Sequence, residues 1–139
     1  MAHWLVKSEP DVFSWDDLVA RGAKGDAWTG VRNHSAKLFL MAMKKGDKAL
    51  YYHSGGAREA VGVAEVIKTS YPDPTDESGK FVCVDLKAGA PFKTPATLTA
   101  IKARPELAEM VLVKNSRLSV QPVTAAEWAI VCAMGGVKG

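Results

Sequence analysis
The first apolar run, His3 to Lys7, is short and is followed by Ser-Glu-Pro10, which predicts a strand closed off by the proline. Ser14-Trp-Asp-Asp17 sets a carboxylate three residues after a serine, the pattern of a capping box. It opens a short helix to Arg21, broken by Gly22 and Gly25. A second helix, capped by Asn33 or Ser35, carries Leu38, Phe39, Leu40, Met41 and Met43 on a broad apolar face. Lys45-Gly-Asp47 is a turn. Two β-rich runs follow, Lys48 to Ser54 and Ala60 to Ile67, and Gly55-Gly56 joins them as a hairpin.

Tyr71-Pro-Asp-Pro-Thr75 reads as a rigid loop, extended by an acidic stretch to Gly79, and Phe81 to Leu86 reads as a strand. Pro91 and Pro95 mark an irregular stretch, after which Thr97 to Ile101 and Pro105 to Met110 form short helical turns. Leu118 to Val123 is a last strand. Thr124-Ala-Ala-Glu127 is a second capping box, starting an Ala-rich terminal helix with Trp128, Ile130 and Val131. No repeat, low-complexity tract or linker interrupts residues 1–139. This mixed order, without regular βαβ units, predicts one α+β domain: five or six strands in a small curled sheet or barrel, with helices inserted between them.

Composition narrows the partners. A chain of 139 residues with 47% hydrophobic content folds around a core without staples. Its formal charge of +3 is too small for a non-specific nucleic-acid coat, so an anion must be met by a few placed cations. Cys83 and Cys132 lie in apolar settings with no CxxC pair, as reduced core residues of an intracellular protein do. No apolar run approaches the ~20 residues of a membrane span, and Met1 to Lys7 does not resemble a signal peptide. The expected compartment is the cytoplasm, and no membrane partner is expected.

Three polar-aromatic segments stand out: Trp28-Thr-Gly-Val-Arg-Asn33, Tyr51-Tyr-His-Ser54 and Lys114-Asn-Ser-Arg-Leu-Ser119. Each adjoins a regular element and mixes rings, hydroxyls, amides or guanidinium groups, the chemistry that grips a planar polar ligand and its phosphates. Trp28 lies outside any apolar periodicity and reads equally as a core plug or as a stacking wall. Asn33 has a plainer role as a helix cap, and Arg32 as an ion-pair partner of Glu9 or Asp26. Strand alternation puts Tyr52 and Ser54 on one side with Leu50, and Tyr51 and His53 on the other.

Catalysis finds little support. His3, His34 and His53 have no metal-ligand spacing, and neither HExxH nor a Cys/His cluster occurs. Ser54-Gly-Gly is no nucleophile elbow, and Gly55-Gly56 lacks the Lys-Ser/Thr of a phosphate loop. No metal, cofactor or catalytic residue is expected. The alternative is an enzyme acting on a modified nucleotide, or its base-recognition part, with His53 as general base. It lacks a second catalytic group.

The chain resembles an EVE domain, one of the PUA-like barrels related to the YTH readers of modified RNA. The likeness rests on Trp4-Leu-Val-Lys-Ser-Glu-Pro10, Phe13-Ser-Trp-Asp-Asp-Leu18, Trp28-Thr-Gly-Val-Arg-Asn33, Met43-Lys-Lys-Gly-Asp47, Tyr51-Tyr-His-Ser54, Val61-Gly-Val-Ala-Glu-Val66, Tyr71-Pro-Asp-Pro-Thr75 and Leu112 to Pro122. It implies a small PUA-like mixed β-barrel of five or six strands flanked by short helices, with one pocket for a flipped, modified base. EVE relatives are associated with modified cytosine in DNA or are fused to restriction nucleases. This chain shows no nuclease portion, so restriction in cis is not expected.

By that resemblance Trp28 is the first cage wall, Tyr52 or else Tyr71 the second, and Lys114 and Arg117 contact phosphates. Glu9 is a candidate for the exocyclic amine of cytosine. The ligand-binding set is Lys7, Ser8, Glu9, Trp28, Thr29, Asn33, Tyr52, His53, Ser54, Lys114, Ser116, Arg117 and Ser119. The expected partner is DNA or RNA carrying a modified base, with a separate nuclease or modification enzyme alongside.

Overall fold
The computed structural model describes residues 2–138. In chain order its elements are β1 (His3–Ser8), α1 (Trp15–Ala20), β2 (Asp26–Ala27), α2 (His34–Ala42), β3 (Lys48–His53), β4 (Glu59–Pro72) and β5 (Val82–Thr97). α3 (Leu98–Lys102), α4 (Val111–Lys114), β6 (Val120–Val123) and α5 (Ala125–Met134) follow, with 3-10 turns at Gly22–Lys24 and Pro105–Leu107. The six strands form one sheet in the order β2-β5-β4-β3-β1-β6. β1 runs parallel to β3, and every other pairing is antiparallel. The sheet is mixed and flanked by short helices, as the chain predicts. It does not close: β2 and β6 remain edges, so the barrel is an open one.

Alternation along the central strands sorts side chains onto two apolar layers. Trp4 and Val6 of β1 and Ala49 and Tyr51 of β3 join Trp15, Leu18, Trp28, Ala36 and Leu40 on one face. Leu5, Leu50 and Tyr52 join Ile101, Leu107, Leu112, Trp128 and Val131 on the other. Helices α1 and α2 therefore cover the first face, and α3 and α5 the second.

Both capping boxes form. Ser14 Oγ accepts from Asp17 N–H while the Asp17 carboxylate accepts from Ser14 N–H, and Thr124 and Glu127 repeat the exchange. Of the two candidate caps for α2, Asn33 serves: its Oδ1 accepts from Ala36 N–H at 2.9 Å.

Two stretches differ from expectation. Strand β4 runs on through Tyr71 and Pro72, where a loop was expected, and β5 continues through Pro91 and Pro95 to Thr97. The reason lies at the edge of the sheet. β2 covers β5 only at Asp85 and Leu86, so the later residues of β5 have no strand partner on that side, where Lys93 and Thr94 N–H donate to Gly135 O instead. Prolines are tolerated on such an edge strand and at irregularities of the ladder. Register shifts at Gly62 absorb the irregularity opposite Pro91.

Candidate functional site
Strand β1 ends at Ser8, beside the turn Glu9–Phe13 and the segment leaving β2. Together they line a cavity of about 550 Å³. Lys7, Ser8, Glu9, Trp28, Thr29, Asn33 and Ser119 of the expected set meet here. Trp28 keeps 9% of its surface accessible and forms part of the wall. It is held from behind by a chain of rings: Tyr51 meets Trp28 edge-on at 5.4 Å, and Trp15 meets Tyr51 at 5.5 Å. Such edge-to-face contacts are favourable and directional, so the indole is set in place before any ligand arrives. Burial pushes the Tyr51 phenol up to about 12, and its hydroxyl donates to Phe13 O at 2.9 Å. Ser8 Oγ donates to the same carbonyl at 2.6 Å, tying the turn to β1.

The loop that continues from Trp28 hangs on one buried carboxylate. Asp73 Oδ2 accepts from Gly30 N–H at 2.8 Å and from Arg32 Nη1 at 3.0 Å. Its Oδ1 accepts from the N–H and hydroxyl of Thr75 at 2.7 and 2.6 Å. Burial alone would raise the Asp73 pKa, but these donors outweigh it and bring it down to about 2. Arg32 thus pairs with Asp73, not with Glu9 or Asp26 as the sequence suggested. Asp73 stands just past the end of β4, 43 and 41 residues along the chain from Gly30 and Arg32 of the loop it anchors.

Seven lining residues stand outside the expected set: Val12, Phe13, Asp26, Ala27, Gly30, Val31 and Arg32. Asp26 carried a signal, since it stands two residues before Trp28 and a strand turns both to one side. Asp26 and Glu9 bring two carboxylates to a cavity whose cations are Lys7 and Arg32.

The other expected residues lie elsewhere. Tyr52 is on the far face of the sheet from Trp28, where it lines a second cavity with Lys7, Ser54 and Ser116. It is not a second wall of the Trp28 cavity, because alternation in β3 gives that side to Tyr51. Tyr71, the other choice, donates to Asp85 and lies under the Lys68 ammonium, lining neither cavity. His53 Nε2 accepts from Trp15 N–H at 3.0 Å, and burial lowers its pKa, so the ring is neutral at pH 7 with that nitrogen engaged. Lys114 is exposed and paired with Glu109 at 3.2 Å, and Arg117 is exposed on the neighbouring turn. Among the described residues no three His, Cys, Asp or Glu side chains are grouped to hold a metal ion.

A preset indole wall, a ring of polar groups and an open six-stranded sheet define a PUA-like binding domain. The EVE domain model matches residues 2–134, and the chain belongs to that family. Human thymocyte nuclear protein 1 is 32% identical over 165 residues, spanning 96% of this chain and 73% of that protein. A structure from Rhodopseudomonas palustris superposes with a TM-score of 0.93 at 68% identity, covering 98% of this chain and 94% of that one. Human THYN1, solved in complex with 5-methylcytosine-containing DNA, superposes with a TM-score of 0.91 at 32% identity, over 100% of both chains.

Proposed function
We propose that this chain is a non-catalytic reader that takes a modified base, modified cytosine in DNA being the favoured ligand, into the cavity beside Trp28. The observation that carries the reading is Trp28 itself, lining a cavity of about 550 Å³ and braced edge-on by Tyr51. That space suits a nucleobase. Lining residues Glu9 and Asp26 supply acceptors for an exocyclic amine. The likeness to human THYN1, whose structure holds 5-methylcytosine-containing DNA, supports the choice of ligand.

The energetics fit. One methyl group changes binding by only ~1–3 kcal/mol, and stacking on an aromatic wall adds ~1–3 kcal/mol per base. Extruding a base from a duplex costs a few kcal/mol, which favours single-stranded or mismatched targets. An enzymatic reading is weaker, because His53 lines neither cavity and its Nε2 already accepts from Trp15. Such a reader would act through a separate nuclease or modification enzyme. With Cys83 and Cys132 free and buried, we infer a reducing compartment and propose the cytoplasm.

The test is a fluorescence titration with short single strands carrying 5-methylcytosine or cytosine. Trp28→Ala should weaken binding of the modified strand about tenfold or more, matching the loss of one stacking contact. Equal affinity of Trp28→Ala and the parent for that strand sinks the proposal.

A further inference from the structure
On the other side of β1 and β3 from Trp28 lies a smaller cavity of about 220 Å³. Its polar groups come from Lys7, Tyr52, Ser54, Arg58 and Ser116, and Leu98 and Leu112 complete its walls. No carboxylate lines it. The Glu59 side chain neighbours Arg58 in sequence but is not part of the wall. The volume falls below the ~300 Å³ at which ligand pockets for drug-sized molecules begin. It suits a group of a few atoms.

Three observations give this cavity a chemistry. Tyr52 is 2% exposed, yet its hydroxyl makes no hydrogen bond to a described residue, and the side chain faces the cavity. That hydroxyl keeps access to the cavity, so it is a free donor there for a ligand or water. Lys7 Nζ spends one of its three donors on Ser116 O at 2.6 Å, leaving two. Arg58 is the only non-glycine with positive φ among the described residues, at 50°. Its carbonyl accepts from Leu98 N–H at 2.9 Å, so the surrounding structure holds that unfavourable backbone in place.

We propose that this second cavity is an anion site, taking a phosphate group between Lys7 and Arg58 with the hydroxyls of Tyr52, Ser54 and Ser116 as further donors. The apolar floor strengthens the attraction by lowering the local dielectric. Lys7 lines both cavities, so the phosphate sits across the sheet from the base cavity and shares a cation with it. Two sources share this chemistry: a phosphodiester of the strand whose base enters the Trp28 cavity, and a free phosphate or phosphomonoester. Only the first rests on the reader function.

The experiment is an amide-resolved NMR titration of the whole chain with inorganic phosphate. Tyr52, Ser54, Arg58 and Ser116 should shift together and saturate. Arg58→Asn removes the cation but keeps a residue that tolerates positive φ, and Tyr52→Phe removes only the hydroxyl. Each should weaken phosphate about tenfold, as loss of a hydrogen bond to a charged group does. Trp28→Ala should leave the phosphate titration unchanged while weakening modified-base binding about tenfold or more, which separates the two proposals. A second arm replaces the linkages flanking the modified cytosine with neutral methylphosphonates. Weakened binding in the parent but not in Arg58→Asn assigns the site to the strand backbone. Equal loss in both, or none, with phosphate still saturating, assigns it to free phosphate. Absence of saturation, or saturation indifferent to Arg58 and Tyr52, overturns the inference.

Discussion

Asp73 should be the keystone of the loop that walls the base cavity, and Asp73→Asn tests it. Asp73 is 3% exposed, and its carboxylate takes four hydrogen bonds, two of them from Gly30 and Arg32 on the cavity rim. Its pKa falls from 3.8 to about 2. At about 1.4 kcal/mol per pH unit, that depression corresponds to about 2.5 kcal/mol of folding stability at neutral pH. A second route gives a similar figure. Asparagine would turn an amide N–H2 toward either the Gly30 and Arg32 donors or the Thr75 donors, and a buried donor left unmet costs ~1–3 kcal/mol. Because the folded carboxyl is the stronger acid, its contribution is complete above about pH 4 and drains away as pH falls through about 2. Urea denaturation at pH 7, 5, 3 and 2.5 should show the variant about 2.5 kcal/mol less stable at the upper two values, with the gap narrowing at the lower two. A gap that stays constant down to pH 2.5 would refute the ionised-carboxylate account. Binding of the modified strand should weaken as well, since Gly30 and Arg32 line the cavity.

Gly62→Ala should disturb the same cavity from behind. A Cβ there would lie 2.5 Å from the Trp15 ring, and such overpacking costs ~1–3 kcal/mol. Thermal unfolding should record the loss, and near-ultraviolet circular dichroism should record displacement along Trp15, Tyr51 and Trp28. An unchanged spectrum would mean that Trp15 does not brace the wall. Asp26→Asn exchanges an acceptor for a mixed donor and acceptor, so the preference for cytosine over other bases should shrink by ~1–3 kcal/mol in competition titrations if that carboxylate meets the exocyclic amine. Lys114→Ala and Arg117→Ala should weaken modified and unmodified strands alike and flatten the salt dependence by ~0.7 per residue removed. A loss confined to the modified strand would assign that residue to base recognition.

Much of the local architecture is legible in the chain. The two capping boxes need only groups three residues apart, so Ser14 with Asp17 and Thr124 with Glu127 announce helices α1 and α5 before any tertiary contact forms. The alternation of β3 already separates Tyr51 and His53 from Tyr52 and Ser54. The family motifs single out Trp28. Where those elements lead is another matter. Periodicity says that Tyr51 and Tyr52 face opposite ways, but only the parallel pairing of β1 with β3 and the docking of β2 put Trp28 on Tyr51's side.

The long-range partners were beyond the sequence for the same reason. Arg32 had two carboxylates near it in the chain, and it binds a third, Asp73, that the end of β4 delivers from 41 residues away. Lys7 meets the carbonyl of Ser116 across 109 positions of chain, and that bond places it between the two cavities. Local sequence determined helix starts, strand faces and the residues worth suspecting, because those depend on neighbours within a turn or a pleat. Which suspects share a cavity was decided by strand order and the burial of two apolar layers, because a sheet in between separates side chains adjacent in sequence and brings distant ones together.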